Sequence, residues 1–273
     1  MDLNGLNELA KHLRLETVRM IYEGKDGHPG PALSIADIVT ALYFDIMNIN
    51  PQNPTWEDRD RFILSKGHAC PIYYTALNEK GYFGDKISNF NLRALGSIFQ
   101  GHPVMRTTPG VDMTSGSLGN GISIGAGMAI AGKLNKKSYN VYIIVGDGEL
   151  QEGVVWEGIN VAAAHKLDNM IVFVDDNNWQ SGGAVDKTIG SRNIKERFES
   201  FCWDVQEIDG HDISMIQKAV KVAKNTPGKP HAIVCKTIKG KGVDFMENNN
   251  AWHKGVPTDA EFESIMAQLG GRV

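Results

Sequence analysis

Between Tyr139 and Cys235, four short runs rich in β-branched and aromatic residues alternate with segments of helical periodicity. The runs are Tyr139 to Val145, Met170 to Val174, Cys202 to Ile208 and His231 to Cys235; the helical segments include Val154 to Ala164 and Ser214 to Lys224. Strands that are apolar without alternation are covered on both faces, and successive parallel strands need a crossover, most simply a helix. The pattern therefore predicts an α/β chain, a doubly wound and mostly parallel sheet with helices on both faces.

The first half is consistent with the same architecture. Leu6, Leu9, Leu13 and Ile21 predict an amphipathic helix from Leu3 to about Tyr22, ending at Gly24 and Gly27. Ser34 reads as the N-cap of a second helix carrying Ile35, Ile38, Val39, Leu42 and Ile46. A strand over Phe62 to Leu64 runs into Ser65-Lys66-Gly67-His68 and a helix to about Lys80; the glycine-rich stretch Gly116 to Gly132 predicts a helix that admits close neighbours.

With 273 residues, 42% hydrophobic and 22% charged, one large core is within reach. Residues 1–236 are expected to form the main binding domain, and 237–273 a loop and tail packed on it. A net charge of −4, without a Lys/Arg run longer than a pair, argues against nucleic acid or an anionic membrane as partner. Cys70, Cys202 and Cys235 are too widely spaced for a metal or disulfide framework. With no signal-like start and no apolar run near the ~20 residues of a membrane span, a cytoplasmic protein is expected.

The densest chemical signal is Gly146-Asp147-Gly148-Glu149-Leu150-Gln151-Glu152-Gly153, followed by a helix, a strand and Asp175-Asp176-Asn177-Asn178. If the two strands are parallel neighbours, both motifs leave the same edge of the sheet, and Asp147 lies beside Asn177. A carboxylate and an amide carbonyl are hard oxygen donors suited to Mg²⁺, which fills its octahedron with phosphate oxygens and water. Gly146 and Gly148 let phosphates approach the backbone, and the next helix turns its N-terminus toward negative charge. Either motif alone is an ordinary turn. Together they point to a metal and diphosphate site, a geometry that a nucleotide sugar or other phosphate ligand would also satisfy.

GDG, a helix, a strand and NN resemble the thiamine diphosphate-binding motif, and GDGELQEGVVWEGIN resembles transketolase in particular. The resemblance implies that Asp147, Asn177 and the backbone carbonyl of Trp179 bind Mg²⁺, and that Gly148 contacts the diphosphate. It also implies that Glu152 joins a carboxylate network reaching across a subunit interface. Gly116-Ser117-Leu118-Gly119-Asn120-Gly121 resembles the family's TTGPLGQG, whose backbone lies along the cofactor.

Three histidines follow glycine in predicted loops: Gly27-His28-Pro29-Gly30, Gly67-His68-Ala69 and Gly101-His102-Pro103. Imidazole can bond sugar hydroxyls or transfer protons near neutral pH. A single such histidine is more often structural, but three before the GDG segment favour a site. All three fit the transketolase pattern, which implies that His28 and His102 face the sugar and His68 the diphosphate. His253, in Trp252-His253-Lys254-Gly255, stands for a fourth site histidine, at a spacing that differs from full-length enzymes. Two further departures are Trp179-Gln180-Ser181-Gly182, where an isoleucine and an aspartate are common, and Val104, where Glu often follows GHP. The pattern otherwise runs in unbroken order from Gly27 to Gly190.

Thiamine chemistry needs a glutamate beside the aminopyrimidine, which in the family lies on a separate pyrimidine-binding domain followed by a C-terminal domain. Neither pattern occurs here, nor an arginine-rich stretch to clamp a phosphate. The resemblance thus implies a C-terminal partner subunit in an α₂β₂ assembly, acting on sugar phosphates by two-carbon ketol transfer. The alternatives are the same chemistry on a branched or sulfonated sugar, and a non-catalytic phosphate-binding α/β protein.

Overall fold

The computed structural model describes residues 1–189 and 193–271. Gly190, where the motif pattern ends, and Arg272 and Val273 of the expected tail lie outside the described residues. Helices α1 (Leu3–Gly24), α2 (Pro29–Leu33) and α3 (Ala36–Ala41) precede strand β1 (Arg61–Leu64), α4 (Cys70–Lys80) and α5 (Asn120–Leu134). Then follow β2 (Val141–Gly146), α6 (Gly153–Ala164), β3 (Met170–Asp176), a two-residue hairpin of β4 (Trp179–Gln180) and β5 (Gly183–Ala184), α7 (Val185–Thr188) and α8 (Ile194–Ser200). The chain closes with β6 (Asp204–Asp209), α9 (Ile213–Lys224), β7 (His231–Lys236) and α10 (Asp259–Gln268).

The main sheet has the order β1-β2-β3-β7-β6, with every pair parallel. Its residues divide alternately between two cores, as a period of two requires. Tyr142, Ile144, Ile171 and Phe173 meet α1, α3, α4 and α9 on one face. Ile143, Val145, Val172 and Val174 meet α5, α6 and α8 on the other. Both faces are thus covered, which is why the central strands are apolar at every position. Among the described residues no helix is long and apolar enough to cross a membrane.

Helices α5 and α6 approach closely because Gly158 has no side chain. A Cβ there would meet Ser123 Oγ at 2.7 Å, Ile122 Cγ2 at 2.8 Å and the Ser123 backbone nitrogen at 3.0 Å. Backbone cannot move aside as a side-chain tip can, so Gly158→Ala must part the helices. Despite alanine's better helix propensity, the variant is expected to lose about 1–3 kcal/mol. A urea denaturation midpoint at or above that of the parent chain would refute this.

Two expectations need correction, and a third gains detail. Ser34 is not an N-cap: it is the C-cap of α2, which Pro29 starts, Ile35 precedes α3, and Ser34 Oγ shares its proton between the Pro31 carbonyl and Asp175. The helix expected to continue to Ile46 is α3 followed by one π turn, Leu42–Ile46. The tail beyond Lys236 is not only loop. Thr258 and Glu261 form a reciprocal capping box that starts α10, and Val243, Met246, Ile265 and Met266 bury themselves against Leu15, Val18 and Leu33.

Candidate functional site

The carboxyl ends of β1, β2, β3 and β7 open into one cavity of about 490 Å³. Its walls include Lys66, His68, Asp147, Asn177, Lys239 and His253. In open parallel sheets ligands bind at this edge, where strand order reverses, and here β7 inserts between β3 and β6.

The register pairs Gly146 with Asp175, so the two acidic motifs face each other. Asp147 Oδ1 accepts from Gly148 N at 2.8 Å and Oδ2 from Asn178 N at 2.6 Å. Asn177 Oδ1 accepts from Trp179 N, while its amide donates to Asp175. Three carboxylates, Asp147, Asp175 and Asp176, thus lie buried at one corner. Asp175 is compensated: Lys66 Nζ donates to it at 2.6 Å, and Ser34, Asn177 and Thr237 add three more donors. Burial opposes its charge, but Lys66 and these donors hold its carboxyl below the ordinary range.

Asp147 has no ion pair among the described residues. Burial, then the charges of Asp175 and Asp176, push its carboxyl up to about 7 against the two amide bonds that lower it. A cation would relieve that repulsion. Among the described residues no three His, Cys, Asp or Glu side chains are grouped to hold a metal, so amide and backbone oxygens would have to complete its shell.

His28, His68 and His253 form a triangle, with ring centroids 5.2, 5.3 and 5.7 Å apart. Burial first, and nearby cations second, lower His28 to about 4 and His253 to about 3, and hold His68 well below the ordinary imidazole value. All three are therefore neutral at pH 7, each with one ring donor and one acceptor. His253 Nδ1 lies 2.9 Å from Lys239 Nζ, a donor, which leaves the ring proton on Nε2. Lys239 is itself buried and lowered to about 8, by burial and then by Lys66.

His102 is more exposed and outside the cavity lining, but next to it: a Cβ on Gly116 would meet its ring at 2.9 Å. Gly116, at φ 139°, adopts a backbone conformation that side chains disfavour, and this lets the third histidine loop pack on the glycine-rich turn. Gly116, Leu118, Gly148, Glu152 and Trp179 line the cavity, whereas Ser117 points its hydroxyl to Asn120.

Sequence reading missed Lys66, Asp175, Gln180 and Lys239. Lys66 and Lys239 each follow a strand end by a few residues, and a lysine there is aimed at the cavity edge; that position was the available signal. Asp175 hid within the DDNN run as a strand residue.

Three buried polar atoms of cavity-lining residues, His28 Nδ1, Gln151 Nε2 and Gln180 Oε1, have no hydrogen-bond partner among the described residues. Buried polar atoms are rarely left so, and three of them on residues of one cavity wall point to a polar ligand there.

Residues 6–272 match the family described as "Transketolase, thiamine diphosphate binding domain". The chain is 40% identical over 269 residues to the 6-deoxy-6-sulfo-D-fructose transketolase subunit SqwG of Clostridium sp., covering 98% of this chain and 96% of that protein. It is 36% identical to an apulose-4-phosphate transketolase subunit of Phocaeicola vulgatus, covering 100% and 96%. The crystal structure of transketolase from Campylobacter jejuni superposes with a TM-score of 0.92 at 35% identity, over 99% of this chain but 43% of that one. The chain therefore spans less than half of such full-length enzymes.

Proposed function

The chain belongs to the transketolase family, as a thiamine diphosphate-binding domain, and from that premise we propose that it is the diphosphate-binding subunit of a two-subunit transketolase. In this reading it transfers a two-carbon ketol unit from a ketose to an aldose with a second, pyrimidine-binding subunit. The observation that carries the reading is Asp147: a carboxyl raised to about 7 by burial and then by Asp175 and Asp176, beside Asn177 in a cavity walled by three neutral histidines.

The residues fit the cofactor. Asp147, Asn177 and the Trp179 carbonyl offer the oxygens that Mg²⁺ takes, and the unpartnered atoms of His28, Gln151 and Gln180 await a polar ligand. When bound, thiamine diphosphate supplies a nucleophilic carbon and an electron sink for breaking the bond beside the ketose carbonyl. The chain's own groups then bind and orient. His68 and the Gly116–Leu118 turn, which line the cavity, would hold the cofactor, and the helix after Gly148 would offer its N-terminus to the diphosphate. His253, protonated on Nε2 and acceptor to Lys239 on Nδ1, presents a donor to substrate oxygen. His28 lines the same space, and His102 packs against the cavity-lining Gly116. Glu152, exposed at the start of α6 and on the cavity wall, faces the side where a partner would dock.

A partner subunit is supported by the two relatives named as subunits, each matched over 96% of its length; in this reading the pair assembles as α₂β₂. The activating glutamate belongs in this reading to the partner, and general acid–base groups of that kind are worth 10²–10⁴-fold. The purified chain with thiamine diphosphate and Mg²⁺ is therefore expected to transfer ketol units at least ~10²-fold more slowly than the reconstituted pair. Full activity of the chain alone would sink the two-subunit reading.

The same two relatives favour a specialised donor, since one is named for a sulfonated and the other for a branched sugar. A panel of plain, branched and sulfonated ketoses offered to the reconstituted pair separates these donors. Product formation with the plain ketose phosphate alone would exclude the specialised ones.

A further inference from the structure

One buried polar chain touches the cavity without lining it. Arg14 on α1 makes two hydrogen bonds to Asp37 on α3, at positions 7% and 5% exposed. Asp37 Oδ2 also lies 2.7 Å from Nδ1 of His211, which follows β6. The other ring nitrogen, Nε2, accepts the backbone N–H of Ile238 at 2.9 Å. A backbone amide can only donate, so Nε2 carries no proton and the ring proton sits on Nδ1, facing Asp37. Although burial opposes its charge, Arg14 and His211 hold the Asp37 carboxyl below the ordinary range, so it is an acceptor at neutral pH.

The amide that His211 takes lies just past the end of β7, where the sheet offers no further carbonyl. On one side of it, Thr237 Oγ1 donates to Asp175, the carboxylate paired with Lys66. On the other side, Lys239 Nζ donates to Asn250 Oδ1 at 2.8 Å and to His253 Nδ1 at 2.9 Å. A slip of this segment by a fraction of a residue would move both side chains together.

We infer that His211 is a positioning residue for the cavity: oriented by Asp37 and Arg14, it fixes through the Ile238 amide where Thr237 and Lys239 enter the site. The inference rests on reading the cavity as a diphosphate site. The role is one of hydrogen bonding and not of bulk. A leucine at this position therefore abolishes it, whereas a glutamine, whose amide has one donor and one acceptor at a spacing like that of the ring nitrogens, largely preserves it.

The test compares His211→Leu and His211→Gln by two readouts on the full chain. Amide hydrogen exchange reports the segment, and titration calorimetry with thiamine diphosphate and Mg²⁺ reports the cavity. In His211→Leu, exchange at residues 237–240 is expected to quicken at least about tenfold while β2 and β3 stay protected, and cofactor affinity to fall by about tenfold. His211→Gln is expected to remain within about threefold of the parent in both. Unchanged exchange in His211→Leu overturns the inference. So does faster exchange with unchanged affinity, or equal loss in both variants. If His211→Leu does not fold, Asp37→Asn, which keeps shape but weakens the hold on Nδ1–H, is expected to show the same two losses, and their absence overturns the inference. If the parent chain binds no thiamine diphosphate, the functional reading fails, while exchange still decides whether the clamp exists.

Discussion

Asp147→Ala is expected to lower Mg²⁺-dependent affinity for thiamine diphosphate by at least ~10²-fold, since it removes the carboxylate from the cation and leaves only neutral oxygens. The same carboxyl predicts a pH dependence in the parent chain. With no cation its value is about 7, so at pH 6 it is mostly protonated and a cation must displace that proton. Affinity should therefore rise with pH, by up to about tenfold per unit below 7, and level off above it. Stability without ligand runs the opposite way. A folded value near 7 exceeds the ~3.9 of an unfolded aspartate, so this group's contribution is full at acid pH and lost as pH rises through 7. Ligand-free Asp147→Asn should accordingly be no less stable than the parent at pH 8, while binding no Mg²⁺. Calorimetry from pH 6 to 8 on both variants decides the matter: binding by Asp147→Ala within threefold of the parent would remove Asp147 from the metal site.

The fold was largely legible because its signals are local. Continuous apolar runs at Val141–Gly146 and Met170–Asp176 identify strands covered twice, and glycine at strand ends marks the edge where ligands enter. The nearness of Asp147 and Asn177 was legible for the same reason: each directly follows a strand, and parallel pairing of those strands brings the two turns together. The neutralising half of the site was not. Lys66 and Asp175 are 109 positions apart, and Lys239 reaches His253 only through the course of the tail. Such pairings depend on strand order, and the insertion of β7 between β3 and β6 leaves no trace in local pattern. Helix α10 was legible in principle, since Thr258-Asp259-Ala260-Glu261 is a capping box in plain sequence; the polar stretch before it obscured the boundary. The bond from Ser34 to the Asp175 carboxylate is a tertiary contact and could not have been read.

Lys66→Met should cost the ligand-free chain about 3–5 kcal/mol, because removing one partner of a buried ion pair strands the other. Lys66 is 3% exposed and Asp175 0%. The lysine also donates to the Pro31 carbonyl at 2.7 Å, so methionine removes that bond as well and leaves the oxygen only the longer one from Ser34 Oγ. Ser34, Asn177 and Thr237 still donate to Asp175, but dipoles do not cancel a charge that sits beside Asp147 and Asp176. The sign of the pH effect follows. In the parent, the depressed Asp175 value means stability present at neutral pH and lost as pH falls. In the variant the carboxyl is pushed upward and takes a proton more readily, so the gap between the two proteins should narrow as pH falls toward 4. Adding Asp175→Asn removes the stranded charge and should restore most of the loss. Urea denaturation of the two variants at pH 7 and pH 5 tests the argument. A single variant that loses less than about 1 kcal/mol, or a double variant no better than the single, would mean that the pair stabilises little and that solvent reaches Asp175. Since Lys66 and Asp175 both border the cavity, the pair also helps explain how three carboxylates can be assembled there before any cation arrives: Lys66 pairs with Asp175 and Lys236 with Asp176, which leaves Asp147, in the proposed reading, to receive the metal.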